Sequence, residues 1–142
     1  MSRLRFCRQR IYQDHNVRRG VADANFLVAQ GVNCSLSTNN VLNPVTPYGD
    51  CSLIRMANLY ANLLQIAGSA QLRECFAMLT ARSARLLNLA DYGLSVGNPA
   101  DIVVIDAATP EQVIAEIRQP LAVYKRGRWT VVRHPPELIR PV

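Results

Sequence analysis

The side chains best placed for chemistry are two adjacent asparagines, Asn39 and Asn40, within Ser37-Thr38-Asn39-Asn40-Val41-Leu42-Asn43-Pro44. A primary amide offers one carbonyl acceptor and two N–H donors, so the pair can hydrogen-bond a heterocycle or lend a weak neutral oxygen to a cation. It cannot act as a carboxylate base. The same residue type also closes loops through Asx turns, and both readings stand. Asp50 is the carboxylate that follows them, just ahead of an apolar periodic stretch, which predicts an N-cap for a helix starting at residue 52. His15, in Asp14-His15-Asn16, is either a site residue or an exposed loop histidine. His134, beside Pro135-Pro136, reads as surface. These are the only histidines.

Cys7, Cys34, Cys51 and Cys75 are widely spaced and form no CxxC pair, which excludes a zinc knuckle and a dithiol redox motif. Cys34 lies in an apolar run and reads as a buried, inert thiol. Net charge is +6, with Arg3, Arg5, Arg8, Arg10, Arg18 and Arg19 crowded into the first 20 residues. Such an arm could contact phosphates, but only Phe6 and Tyr12 are there to stack on bases, so a solvated arm is preferred over nucleic-acid binding. With 49% hydrophobic and 18% charged residues in 142, the chain is expected to fold as one domain. No apolar run is long enough to span a bilayer, and no signal peptide is evident, so a cytoplasmic location is expected.

The elements that must position these residues are legible from periodicity and punctuation. Residues 21–30 read as a short helix stopped by Gly31. Residues 32–36 read as a buried strand, followed by the polar, proline-punctuated loop 37–50. Asn39 and Asn40 would then sit at the C-terminal end of a strand, where α/β folds place their chemistry. A strong amphipathic helix is expected over 52–67, with Leu53, Met56, Tyr60, Leu63 and Leu64 on its apolar face. Further helices are expected over 71–78 and from Thr80. After a turn-rich connector at 91–101 come a strand at 102–106, a helix opened by Thr109-Pro110-Glu111, and a hairpin of 121–124 and 129–132. Trp129 reads as a packing anchor.

Four segments resemble the C-terminal part of the amidohydrolase superfamily, in its cytosine deaminase branch. They are Arg18-Arg19-Gly20-Val21, Gly31-Val32-Asn33-Cys34-Ser35-Leu36, Asn39-Asn40-Val41-Leu42-Asn43-Pro44 with Pro47-Tyr48-Gly49, and Ala84-Arg85-Leu86-Leu87-Asn88-Leu89 through Asp91-Tyr92-Gly93-Leu94. The last continues into Gly97-Asn98-Pro99-Ala100-Asp101 and Ile102-Val103-Val104-Ile105, and the Lys125-Arg126-Gly127-Arg128 turn is also similar.

The resemblance implies an α/β fold: the last strand–helix unit of a metal-dependent hydrolase TIM barrel, followed by the C-terminal part of a small β-sandwich. Residues 1–13 would be an unassigned basic arm, 14–93 the barrel portion, and 94–142 the sandwich portion with its hairpin. It further implies hydrolysis of C–N bonds in a cytosine-like or triazine-like heterocycle, with a divalent metal, zinc or iron, in the intact parent. Asn39 matches the family's metal-binding Asp and is the candidate catalytic and metal-contacting residue. Asn40, Val45 and His15 are the candidates for substrate binding, Val45 standing where the cytosine enzymes carry an aromatic. The chain has no His-x-His, so alone it is expected to bind no metal and to turn over nothing. A homo-oligomer acting on a small heterocycle, without membrane or nucleic-acid partners, is the expectation; a nucleic-acid-binding module and a split-barrel interaction subunit are the alternatives.

Overall fold

The computed structural model describes residues 20–38, 41–44, 46–137 and 139. Five short helices precede or interrupt a small sheet: α1 (Ala24–Ala29), α2 (Leu53–Leu63), α3 (Ser69–Leu79), α4 (Ala81–Leu86), β1 (Ile102–Ile105), α5 (Pro110–Ala115), β2 (Pro120–Lys125) and β3 (Arg128–Val132). Local side chains start most of the helices. Asp23 accepts from the Phe26 amide at 2.9 Å, and Ser52 accepts from Arg55 at 3.3 Å. Thr109 accepts from Gln112 at 3.3 Å while Gln112 reaches back to the Ala108 amide at 2.8 Å, with Pro110 in the first turn and Glu111 beside it.

Four helices end in the same way, with a left-handed residue that lets two following amides fold back onto orphan carbonyls. For α2, Ile66 donates to Ala61 at 2.8 Å and Gln65 to Asn62 at 3.2 Å. Gly31, Asn88 and Ile117 do the same for α1, α4 and α5. Only the first is glycine.

The core lies where α2, α3 and α5 meet. Met78, Ile114 and Cys75 are fully buried, with Ala57, Tyr60 and Ala24 packed around them. The buried face of α2 is Ala57, Tyr60 and Ala61; of the residues that its periodicity suggests, Tyr60 is buried and Leu64 packs against the core, while Leu53 is exposed and Leu63 is 56% exposed. Small residues on that face let α3 approach closely, and the helix stops at Leu63, four residues before its expected end. Asn25 stitches α1 to this core: its amide donates to Tyr60 Oη at 3.0 Å and its side chain to the Gln71 carbonyl at 3.4 Å. Burial pushes the Tyr60 phenol and the Cys75 thiol above their ordinary pKa.

Residues 32–38 carry no regular secondary structure, so the strand expected over 32–36 does not form. Beyond the Val32 amide, which closes α1 on the Leu27 carbonyl at 3.0 Å, the backbone hydrogen bond found for this stretch among the described residues runs from the Leu36 amide to the Met78 carbonyl at 3.4 Å. A strand needs a ladder partner, and none of the described strands lies alongside, so the barrel unit expected from the sequence is not seen as such. Cys34 and Leu36 still pack against the core, Cys34 only half-buried.

The sheet is a single antiparallel layer in the order β1-β2-β3, with α5 carried in the β1–β2 connection. Arg126 (φ 49°) and Gly127 (φ 75°) make the tight hairpin turn that matches strand twist. The turn is pinned to the connector: Asp101 accepts from the Arg126 amide at 2.7 Å and pairs with Lys125, and the Ala100 carbonyl accepts from Gly127 at 3.0 Å. Trp129 rests on Tyr124 with ring centroids 4.4 Å apart but stays 59% exposed. Among the described residues the principal packing is helix on helix and strand on strand.

Candidate functional site

The segment that would carry the site runs from residue 32 to residue 51. Asn39, Asn40, Val45 and His15 all lie outside the described residues. What can be built is the frame on both sides of Asn39 and Asn40.

On the N-terminal side, Asn33 anchors the segment 32–38 to the helices. Its side-chain N–H donates to the Arg82 carbonyl at 3.1 Å, and its carbonyl accepts from Arg82 Nη1 at 3.5 Å. Arg82 Nε in turn pairs with Glu74 of α3, and this contact holds the guanidinium above its ordinary pKa. Ser83 closes the junction by donating to the Met78 carbonyl at 2.7 Å.

On the C-terminal side the loop folds on itself. Asn43 and Thr46 exchange backbone hydrogen bonds at 3.1 Å, and the Asn43 side chain also accepts from the Thr46 amide at 2.8 Å. Val41 lies against Gly49, where an added Cβ would meet its methyl at 3.3 Å; Gly49 also has φ 114°, so a side chain there would be both tight and strained. Leu42 (φ 50°) and Cys51 (φ 60°) bracket the loop in left-handed conformations that non-glycine residues adopt at a cost.

Asp50 is not the helix cap itself. Ser52 is; Asp50 accepts from the Ser52 amide at 3.1 Å and pairs with Arg55 at 2.7 Å. The amide first and the guanidinium second lower its pKa and keep it ionised. Asp50 is therefore occupied by structure. The sequence reading passed over Asn33 as a site-frame residue and Asn43 as the loop closure. The Asn43-Pro44 dipeptide was a usable turn signal for the second; nothing in sequence marked the first, whose partner lies 49 positions away.

A cleft of about 480 Å³ opens between α1 and the α2–α3 pair, lined by Asp23, Asn25, Phe26, Ile66, Gln71 and Glu74 among others. Its polar side chains serve the fold: Asp23 caps α1, Asn25 joins α1 to α3, and Glu74 holds Arg82. Among the described residues no three His, Cys, Asp or Glu side chains converge. No described helix is long and apolar enough to cross a membrane.

Comparison with known proteins places this frame. The chain is 28% identical over 106 residues to N-isopropylammelide isopropyl amidohydrolase of Pseudomonas sp. (strain ADP), covering 74% of this chain and 26% of that protein. The crystal structure of 5-methylcytosine deaminase from Klebsiella pneumoniae liganded with 5-fluorocytosine superposes with a TM-score of 0.82 at 25% identity, over 92% of this chain and 32% of that one. N-isopropylammelide isopropylaminohydrolase from Burkholderia multivorans superposes with a TM-score of 0.58 at 27% identity, over 63% of this chain and 23% of that one. The chain thus spans a quarter to a third of the length of these relatives. Their family generally depends on a divalent metal. The family model described as "Amidohydrolase family" matches residues 5–131, and the chain belongs to that family.

Proposed function

We propose that this chain is the strand-end and closing portion of a C–N hydrolase acting on a cytosine-like or triazine-like ring, inactive on its own. The observation that carries the reading is the match of 92% of the chain to the 5-methylcytosine deaminase fold at a TM-score of 0.82. The two N-isopropylammelide relatives widen the expected substrate from an aminopyrimidine to an alkylamino-triazine. In the reaction water adds at the ring carbon bearing the amine, the amine leaves with a proton, and a ring carbonyl remains. Asn39 and Asn40 would contribute a carbonyl acceptor and N–H donors to the ring or the attacking water, and Val45 and His15 would line the pocket. An amide at position 39 leaves the proton to be taken by a group elsewhere. A zinc or iron ion belongs to the same proposal, its remaining ligands lying outside this chain.

The test compares two preparations: the recombinant 142-residue chain, and material captured from source cells with an antibody to the β2–β3 hairpin. Each is assayed for ammonia release from 5-methylcytosine and isopropylamine release from N-isopropylammelide. Activity in the captured material and none in the recombinant chain is expected. Captured material inactive on both rings would overturn the substrate class, and turnover by the recombinant chain would overturn its inactivity.

The uncovered sheet favours a second reading, a subunit completed by a separate polypeptide. Val103 is 54% and Val132 57% exposed, an apolar surface that an assembled protein would cover. Co-purification of a histidine-bearing amidohydrolase partner would support it, and a single longer polypeptide carrying this sequence would remove it.

A further inference from the structure

We propose that the two edges of the sheet form a complementary docking surface for a second copy of this chain, β1 of one copy lying beside β3 of the other. In the order β1-β2-β3 only β2 has a neighbour on both sides. Among the described residues β1 and β3 therefore each keep one row of backbone N–H and C=O groups without a strand partner. Asp101 and Asp106 flank β1, whose own residues are all apolar. Arg128 opens β3, and Arg133 follows its last residue, Val132. The two acids are five positions apart, and so are the two arginines. Such a span is about 17 Å of extended chain. Thr130 is an extra residue in β3, since Trp129 and Val131 face consecutive residues of β2. It shortens that edge slightly, a difference that a long arginine side chain can span.

The signs of the charges select the pairing. β1 on a second β1 would set acids opposite acids, and β3 on a second β3 would set arginines opposite arginines; like charges across a strand pair are destabilising. β1 on β3 sets acid opposite base at both ends. It does so whether the strands run parallel or antiparallel, because each edge carries one sign at its two ends. Asp106, Arg128 and Arg133 are exposed, and their side chains make no hydrogen bond or ion pair among the described residues. Asp101 is already held by Lys125 and the Arg126 amide, so Asp106 is the acid that discriminates. Exposed ion pairs add little affinity. Attachment comes from backbone pairing and from the exposed Val103, Val104, Val131 and Val132, and the charges decide which edge is accepted.

The test is sedimentation velocity on the 142-residue chain over a dilution series. The parent should associate reversibly, and Asp106→Lys should weaken that association about fivefold, because it exchanges an attraction for a repulsion. Adding Arg133→Glu to Asp106→Lys should restore it if the paired edges run parallel, and adding Arg128→Glu should restore it if they run antiparallel. One of these two rescues is required. Far-ultraviolet circular dichroism should match the parent in every variant; a loss of dichroism in Asp106→Lys would show that Asp106 serves the fold, and would overturn the proposal. A parent that stays monomeric would overturn it and leave the edges to a separate polypeptide. Association unaltered by Asp106→Lys, or restored by neither second change, would also overturn it and assign the contact to the apolar faces. None of these readings needs turnover, so the ring-hydrolysis reading stands or falls separately.

Discussion

Truncating Ile114 should separate the helices from the sheet. Ile114 is fully buried on α5, against a core whose other members, Met78 and Cys75, are also fully buried and so have little room to collapse into a void. Ile→Ala at such a position costs 2–5 kcal/mol, and about 3 kcal/mol is expected here, against about 1 kcal/mol for Ile114→Val. With a urea dependence near 2 kcal/mol per molar, those become midpoint shifts of about 1.5 M and about 0.5 M. The chain supplies its own second probe. Trp129 is its only tryptophan, sits on β3 and stacks on Tyr124, so its fluorescence reports the sheet, while far-ultraviolet circular dichroism reports mainly the helices. Because the principal packing is helix on helix and strand on strand, the fluorescence midpoint should move by less than half as much as the dichroism midpoint. Equal shifts by both probes would refute the reasoning, since helices and sheet would then be one cooperative unit. An Ile114→Ala cost no larger than that of Ile114→Val would refute the placement of Ile114 in a tight core.

Two further outcomes follow from local geometry. Gln65 is exposed with φ 53° at the end of α2, so Gln65→Gly should relieve left-handed strain and raise stability by roughly 0.5–1 kcal/mol, read as a higher urea midpoint. Asp101 is held below its ordinary pKa of 3.8 by Lys125 first and by the Arg126 amide second. A carboxylate depressed in the folded state stabilises above its unfolded pKa and loses that contribution as pH falls through the folded value. Trp129 fluorescence should therefore show the hairpin loosening below about pH 4, and Asp101→Asn should flatten that dependence; an unchanged acid profile in the variant would count against the pinned turn.

What the sequence made legible is governed by how local the cause is. Thr109-Pro110-Glu111 and Gly31 act through residues within four positions of themselves, and each marks a boundary that the structure reproduces, whereas α1 starts at Ala24 behind the Asp23 cap and not at residue 21. The hairpin at 125–128 is local in the same sense. Gln65, Asn88 and Ile117 end helices just as Gly31 does, but nothing in their chemistry announces a left-handed backbone; the tertiary fold imposes it. On α2 the periodicity finds Tyr60 and Leu64, but Ala57 and Ala61 fill the rest of the buried face where Leu53 and Leu63 are expected, because apolar size alone does not mark the alanines that pack against α3. The stretch 32–36 has a strand's composition and no ladder partner among the described residues, a fact about neighbours that no pattern within the stretch contains. For the same reason nothing within the stretch announces the bond from Asn33 to the Arg82 carbonyl, while the polar loop and the family resemblance point to Asn39 and Asn40.

The two edges of the sheet have a consequence for how this chain behaves in quantity. β1 is Ile-Val-Val-Ile, without a charge or a proline to discourage a newcomer, and β3 ends in two exposed valines at the opposite edge. The edges are different strands, so a contact of β1 on one molecule with β3 on the next is head-to-tail and has no symmetry that would close it. Growth by that route would be open-ended and steeply dependent on concentration, producing fibrous or amorphous material rather than a defined dimer. Dilute expression, or expression alongside whatever polypeptide caps either edge, is the condition under which the isolated fold would persist.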